Sequence, residues 1–511
     1  MTGRAEITVR YLLGLDNGGT FSKAALFDEQ GQQVASAAER TEVLIPAEGC
    51  RERDLAALWA ANAGVIKMTL ARSGLAAEQI AGVSFSGHGK GLYLLGQDHR
   101  PLGRGILSTD SRAWAYVKQW QEDGTAAKVY ALTRQPVLAC QPVALLAWLR
   151  DHEPELFKQI KYIFSVNDLL RFHLTGEAAG EYSSFSGANL IDFKTGGYSR
   201  TLLELFGLES LQACLPPLKT AAEVCGRVTK TAAALTGLAE GTPVAAGMFD
   251  IDACGLASGL TGEEQLCLIA GTWSINEYLA KEPVAGSPTT MNSLFCIPGY
   301  YLIEESSPTS AGNLEWFIEN LLDGEKKQLE AAGKSIYGLT NSWAAQPEAA
   351  GELYYLPFLN GSAEEPRARG IFLGLTPAHT KAQLLQAVYE GIVFYHKRHV
   401  DKLLQHRQPP AKVQLAGGAA NSPVWVQLFA DVLQIPVQVV GGKELGAQGA
   451  ALAAGVAAGV YRDFPAAVRC CVQFNRLVLP RPEYQDFYAR KYRNFNRIID
   501  RLLPLWGELE P

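Results

Sequence analysis

Apolar, strand-like runs that end in glycine-rich turns, interleaved with helix-patterned stretches, recur in both halves of this 511-residue chain. That alternation confines it to an α/β architecture. The first run, 11–16, leads into Asn17-Gly18-Gly19-Thr20, and 21–27 closes on Asp28-Glu29-Gln30-Gly31. This pattern predicts two antiparallel strands joined by a tight turn, with a third strand after it. Leu55, Leu58, Trp59, Ala63, Ile66 and Leu70 recur at spacings of three and four, which predicts a helix over 54–73. A strand over 80–86 then runs into the glycine-rich Gly87-His88-Gly89-Lys90-Gly91. Late in the chain, 412–415 and 435–440 read as strands, with Gly417-Gly418 as a turn, Ser422 as a helix cap and Pro423 at the first helical position. Thr380 and Gln383 form a capping box for a helix carrying Leu384, Leu385, Val388, Ile392 and Tyr395. Both periodicities lapse over 256–266, so two domains are expected, 1–258 and 259–511.

Composition narrows the function. With 46 Lys+Arg against 52 Asp+Glu the net charge is −6, and no basic surface for nucleic acid is expected. Hydrophobic residues at 48% and charged residues at 19% exclude a disordered chain. The nine cysteines include no C-x-x-C pair and read as reduced, mostly buried thiols of a cytoplasmic protein. Residues 1–10 carry Arg4, Glu6 and Arg10 and lack the apolar core of a secretion signal. The Ala/Gly-rich stretch 449–460 is too short to cross a bilayer and reads as a tightly packed helix, so no membrane partner is expected.

A nucleoside triphosphate needs backbone N–H groups that approach its oxygens, hydroxyls, and a carboxylate to hold magnesium through water. Asp16-Asn17-Gly18-Gly19-Thr20 offers all three, and Lys23 returns on the second strand beside it; an ordinary Asn-Gly hairpin is the alternative. There is no P-loop, because Gln328 stands where the first glycine before Gly333-Lys334-Ser335 is required. Gly271-Thr272, after the apolar run 266–270, is a second phosphate candidate or a plain turn. Asp250 lies between an apolar strand and a small-residue helix start, where it could accept a hydroxyl proton or simply cap the helix; Asp252 competes for either part.

In this order, Asp16-x-Gly-Gly-Thr20 with Lys23, Asp250, Gly271-Thr272, Ser310-Ala311-Gly312-Asn313, and Gly417-Gly418-Ala419-Ala420-Asn421 with Gln427 and Asp431 resemble the FGGY family of carbohydrate kinases over about residues 11 to 500. The resemblance implies an α/β, two-domain actin/hexokinase-like (ribonuclease H-like) fold with ATP and sugar meeting in an interdomain cleft. It implies Asp16 beside Mg2+, and Gly18, Gly19, Thr20 and Lys23 at the phosphates. Gly271 and Thr272 would form the second phosphate motif, Gly312 would lie near the nucleotide, and Gly418 and Asn421 at the adenosine. Asp250 would be the general base of an in-line phosphoryl transfer. Many relatives carry a further hydroxyl where Gly19 stands, and a small residue where Trp273 stands. The Gly87–Leu92 run puts His88 and Lys90 where xylulose kinases have glutamine and histidine. Together with Asp110 in Leu107-Ser108-Thr109-Asp110-Ser111-Arg112, it resembles the L-xylulose (3-keto-L-gulonate) kinase branch. Asp110 would orient a sugar hydroxyl or pair with Arg112. Trp114, Trp120 and Trp148 read as core, with sugar stacking as the alternative.

The leading expectation is therefore an ATP- and Mg2+-dependent ketopentose kinase with a small-molecule sugar substrate, acting at the terminal 5-hydroxyl; a homodimer is compatible with it. Alternatives are a kinase for another polyol or sugar acid, a non-catalytic nucleotide-binding protein of the same fold, or a hydrolase using Ser84 or Ser86 with His88. The hydrolase lacks a G-x-S-x-G elbow, since Gly82-Val83-Ser84-Phe85-Ser86 ends in serine.

Overall fold

A computed structural model describes residues 10–287, 289–346 and 350–509. The leader expectation for 1–10 falls almost wholly outside them. Two seven-stranded sheets share a five-strand core of one order, an antiparallel meander of three strands followed by two parallel ones, and differ in their outer strands. In the first, Tyr11–Asn17, Phe21–Phe27 and Gln33–Arg40 form an antiparallel meander, and Ile80–Gly87 adds in parallel beside Tyr11–Asn17. In the second, Cys267–Ala270, Ser274–Ala280 and Tyr301–Ser307 repeat the meander, and Val413–Ala416 and then Val437–Val440 add in parallel. The predicted strand pair and its third strand are thus present, and the same device recurs after residue 266.

Local chemistry explains the helices that were legible. Asp54 accepts from the Ala57 N–H and starts Leu55–Ser73, which ends at Gly74 in the left-handed region, φ 67°. Thr380 and Gln383 close the capping box at the head of Lys381–Leu403. Ser422 caps Pro423–Leu433. The Ala/Gly-rich stretch forms the helix Leu445–Ala457, a few residues earlier than expected.

That helix comes from the second half, yet it lies on Tyr11–Asn17 and Ile80–Gly87 of the first sheet and crosses the helix Asp250–Ala257. Glycine permits both approaches. A Cβ on Gly14 would stand 1.8 Å from the Ala447 carbonyl oxygen, and one on Gly449 would stand 2.1 Å from that of Ala253. The small side chains of Ala447, Ala451 and Ala454 are all buried in this seam.

One sequence expectation is corrected here. Trp114 is not core but 56% exposed, because it opens the short helix Trp114–Glu122, whose inward face carries Val117 and Trp120. Trp148 is partly buried, with the Arg112 guanidinium 5.1 Å from its ring centre. The nine cysteines are all free; Cys470 is exposed and the rest are buried or partly so. Among the described residues no helix is long and apolar enough to cross a membrane.

Candidate active site

The turn after Tyr11–Asn17 and the turn after Cys267–Ala270 occupy equivalent ends of the two sheets. Gly18, Gly19 and Gly271 face open space, with nothing within 4 Å of where a Cβ would stand, so the backbone there is bare for a ligand to approach. Thr20 is exposed at the hairpin tip. Ser86 Oγ donates to Asp16 Oδ1 at 2.8 Å. Burial raises the Asp16 pKa, opposed by that hydrogen bond and by Lys23. The residue that brings Lys23 to this corner is Glu444, whose Oε2 accepts from Lys23 Nζ at 3.0 Å. Glu444 precedes the crossing helix, and Gly446 lets that helix end abut Asp16, since a Cβ there would lie 2.6 Å from the Asp16 carboxyl carbon.

Asp250 is the first residue of Asp250–Ala257 and remains partly exposed. Neither aspartate caps this helix: Phe249 occupies the N-cap and makes no side-chain cap bond. Two positions along a helix turn a side chain about 200° away. Asp252 is accordingly fully buried, with Oδ1 accepting from the Cys296 N–H at 2.7 Å, and burial drives its pKa far up. Burial, with Asp16 adding repulsion and Lys90 opposing it, pushes Asp250 up to about 8. Asp16 and Lys90 are thus both electrostatic neighbours of Asp250.

The glycine-rich loop after Ile80–Gly87 meets Asp250 through the residue before it. A Cβ on Gly89 would lie 2.4 Å from the Phe249 ring, so glycine is required for the loop to lie against that strand. Lys90 takes φ 62°, which turns its side chain toward Phe249, with Nζ 5.9 Å from the ring centre. His88 and Asp110 are committed to protein partners. His88 is buried between Tyr93 OH at 2.8 Å and the Gly89 carbonyl at 3.2 Å, and burial lowers its pKa to about 4. Asp110 accepts from the Arg51 and Arg112 N–H groups and from the Arg112 guanidinium, so the expected pairing with Arg112 is present.

The turns of the second half converge too. The Ala311 N–H donates to the Gly271 carbonyl at 2.8 Å, Gly312 lies against Thr272, and Gly417, at φ 87°, sits so close to the Ala270 carbonyl that a Cβ would stand 2.7 Å from it. Gly418 and Asn421 are exposed beside them. Asp431 and Gln427 bond to each other, and Asp431 pairs with Arg481, which places them behind the turn and not at its face. Leu445, Cys254 and Ile269 pack into one apolar cluster, which ties the Asp16-facing helix, the Asp250 helix and the strand leading to Gly271 to a common floor.

Sequence reasoning missed Glu444 and Arg53, and it considered Ser86 only as a hydrolase nucleophile and not as a partner of Asp16. Arg53 is buried, donates to the Gly19 carbonyl at 2.6 Å, and leaves Nε and Nη1 without a partner among the described residues. Ser86 carried a readable signal, since it lies near the end of the strand and pairs beside Asp16; the other two are brought in only by folding.

Two sheets with a common five-strand core, bare glycine turns at their equivalent ends and Asp16 and Asp250 as electrostatic neighbours match the plan of a phosphotransferase of the actin/hexokinase-like class. Comparison with known proteins gives the same result. Residues 11–256 match the N-terminal domain of the FGGY family of carbohydrate kinases, and 266–458 match its C-terminal domain. The chain is 38% identical over 494 residues to an L-xylulose/3-keto-L-gulonate kinase of Escherichia coli (96% of this chain, 97% of that one). It is 37% identical over 505 residues to a probable L-xylulose kinase of Pasteurella multocida (97% and 99%). Among solved structures it is similar to a xylulose kinase from Rhodospirillum rubrum, with TM-score 0.85, 27% identity, and 98% of this chain and 100% of that one covered. A gluconate kinase from Lactobacillus acidophilus shares the fold, with TM-score 0.88, 22% identity and coverage of 98% and 100%. The chain belongs to the FGGY family of carbohydrate kinases and is an ATP-dependent sugar kinase.

Proposed function

We propose that this kinase phosphorylates a ketopentose of the xylulose type at its terminal 5-hydroxyl, with Asp250 as the general base. The carrying observation is Asp250 itself. It is the partly exposed carboxylate at the head of its helix, within electrostatic reach of Asp16 and Lys90. A base must lie within hydrogen-bond reach of the proton it takes, and an elevated pKa near neutrality suits a carboxylate for that task. Asp250 accepts the hydroxyl proton as the sugar oxygen attacks the γ-phosphorus and the bond from that phosphorus to the β,γ-bridging oxygen breaks, releasing ADP, while the backbone N–H groups at Gly18–Thr20 and Gly271–Thr272 hold the phosphate oxygens. Lys90 donates to the sugar, while His88 and Asp110 shape the pocket through Tyr93 and Arg112. Gly312, Gly418 and Asn421 face the nucleoside. The chain divides for this purpose into 1–258 and 259–511.

The donor set fits Mg2+. Asp16 is a carboxylate with one oxygen spared by Ser86, beside bare glycine turns, and among the described residues no group of three or more His, Cys, Asp or Glu forms a cage of its own. Asp16 would hold the ion through water together with phosphate oxygens, as Mg2+ sites built on nucleotides do. Bound there, Mg2+ supplies neutralisation of the charge that develops on the phosphates.

The curated relatives named for L-xylulose and 3-keto-L-gulonate support the ketose class. Lys90 forms no ion pair among the described residues, which specifically favours a second reading in which the sugar carries a carboxylate. The test is ADP formation across L- and D-ketopentoses, glycerol and sugar acids. Turnover restricted to glycerol, or ADP release independent of any sugar, defeats the proposal.

A further inference from the structure

We propose that His396 is a positioning residue that holds the second phosphate turn and the Ser310–Gly312 turn in register for the nucleotide. This rests on the reading that those turns contact ATP. His396 lies mid-way along Lys381–Leu403, fully buried, and touches no solvent-facing part of the site. Its Nδ1 stands 2.8 Å from Asn276 Oδ1 and 3.1 Å from Ser274 Oγ, and its Nε2 stands 2.9 Å from Ser310 Oγ. Ser274 follows Thr272 by two residues and Ser310 precedes Gly312 by two. The ring also packs edge-on against Phe429, 5.2 Å between centres, on the helix that follows Gly418–Asn421. One imidazole therefore touches the supports of all three turns that converge in the second half.

The hydrogen-bond roles fix the tautomer. Asn276 Nδ2 donates to Ser274 Oγ at 3.2 Å and to the Glu305 carbonyl at 3.1 Å, which leaves Asn276 Oδ1 as an acceptor facing Nδ1. Nδ1 carries the proton, and Nε2 accepts from the Ser310 hydroxyl. Burial lowers the pKa to about 3, so the ring stays neutral and this arrangement holds at assay pH. A fully satisfied buried network of this kind fixes the relative placement of the elements it joins. Here the joined elements are the two turns that the Gly271 carbonyl and the Ala311 N–H already link.

The two nitrogens can be separated by substitution. The amide nitrogen of asparagine lies about where Nδ1 does, so His396→Asn keeps the Asn276 bond and loses the Ser310 bond. Ser310→Ala removes the same bond from the other side, and it remains informative if the histidine variant fails to fold. For each, the expected result is a rise of about 5- to 10-fold in KM for ATP and in Kd for ADP, the change one hydrogen bond commands, with the sugar KM within twofold of wild type. The double variant should match the single ones, because both remove one contact. Equal loss for ATP and sugar, or additive effects, would mean a merely structural role and overturns the proposal. Thr272→Val is the control. If it leaves the ATP KM unchanged, the reading of the turns fails and the proposal with it; if it raises KM while His396→Asn and Ser310→Ala do not, the positioning role alone fails.

Discussion

If Asp250 is the base, as proposed, its titration sets the pH dependence of turnover, because burial and Asp16 hold its carboxyl at about 8 in the free protein. A base must be ionised, so kcat/KM for the sugar should climb as pH rises through about 8 and level off above it. Asp250→Asn should lower kcat by about 10^2–10^4-fold and leave ADP affinity within about twofold, measured by coupled assay and calorimetry. The same shift has a thermodynamic sign. A carboxyl whose folded-state pKa lies above its unfolded value binds more protons when folded, so between roughly pH 4 and 8 its contribution to stability falls as pH rises. Asp250→Asn should therefore stabilise the protein by ~1–3 kcal/mol at pH 8.5 and by nothing measurable near pH 4, read from Tm at the two pH values. A variant that keeps full turnover would assign the proton transfer elsewhere.

At the scale of elements, the test falls on the two glycines under the crossing helix. Gly449→Ala puts a methyl 2.1 Å from the Ala253 carbonyl oxygen, and Gly14→Ala puts one 1.8 Å from that of Ala447. Each should cost at least the ~1–3 kcal/mol of an overpacked core, seen as a lower denaturation midpoint. Gly18→Ala, which meets nothing within 4 Å, should be close to neutral for stability and reduce ATP affinity instead. These contrasts also show what a sequence can disclose. The capping box at Thr380 and Gln383 is written within four residues and formed as read, whereas Asp54, read as the first residue of its helix, is its N-cap. The purposes of Gly14 and Gly449 are not local, since each is glycine because of backbone far away in the chain. Glu444 reaches Lys23 across more than four hundred residues, and nothing near either residue announces the pairing. Trp114 misled because a tryptophan's size argues for burial, while the helix it opens had already turned Val117 and Trp120 inward. The ordered turns around Asp16, Asp250 and Gly271 could be read because each combines a residue type and a strand end in a few positions.

For the whole molecule, phosphoryl transfer in water requires exclusion of solvent from the γ-phosphate. The halves carrying Asp16 and Gly271 should draw together when sugar and a non-hydrolysable nucleotide are both present. Small-angle scattering should record a smaller radius of gyration with the pair than with either ligand alone. An unchanged radius would leave the gap as found and contradict closure.

The helix Leu445–Ala457 roofs the strand with which the described fold begins. During synthesis, Tyr11–Asn17 must therefore wait, with Leu12 and Gly14 uncovered, until more than four hundred further residues have left the ribosome. A truncated polypeptide ending near residue 258 would expose that apolar seam permanently, and aggregation or chaperone capture is its expected fate.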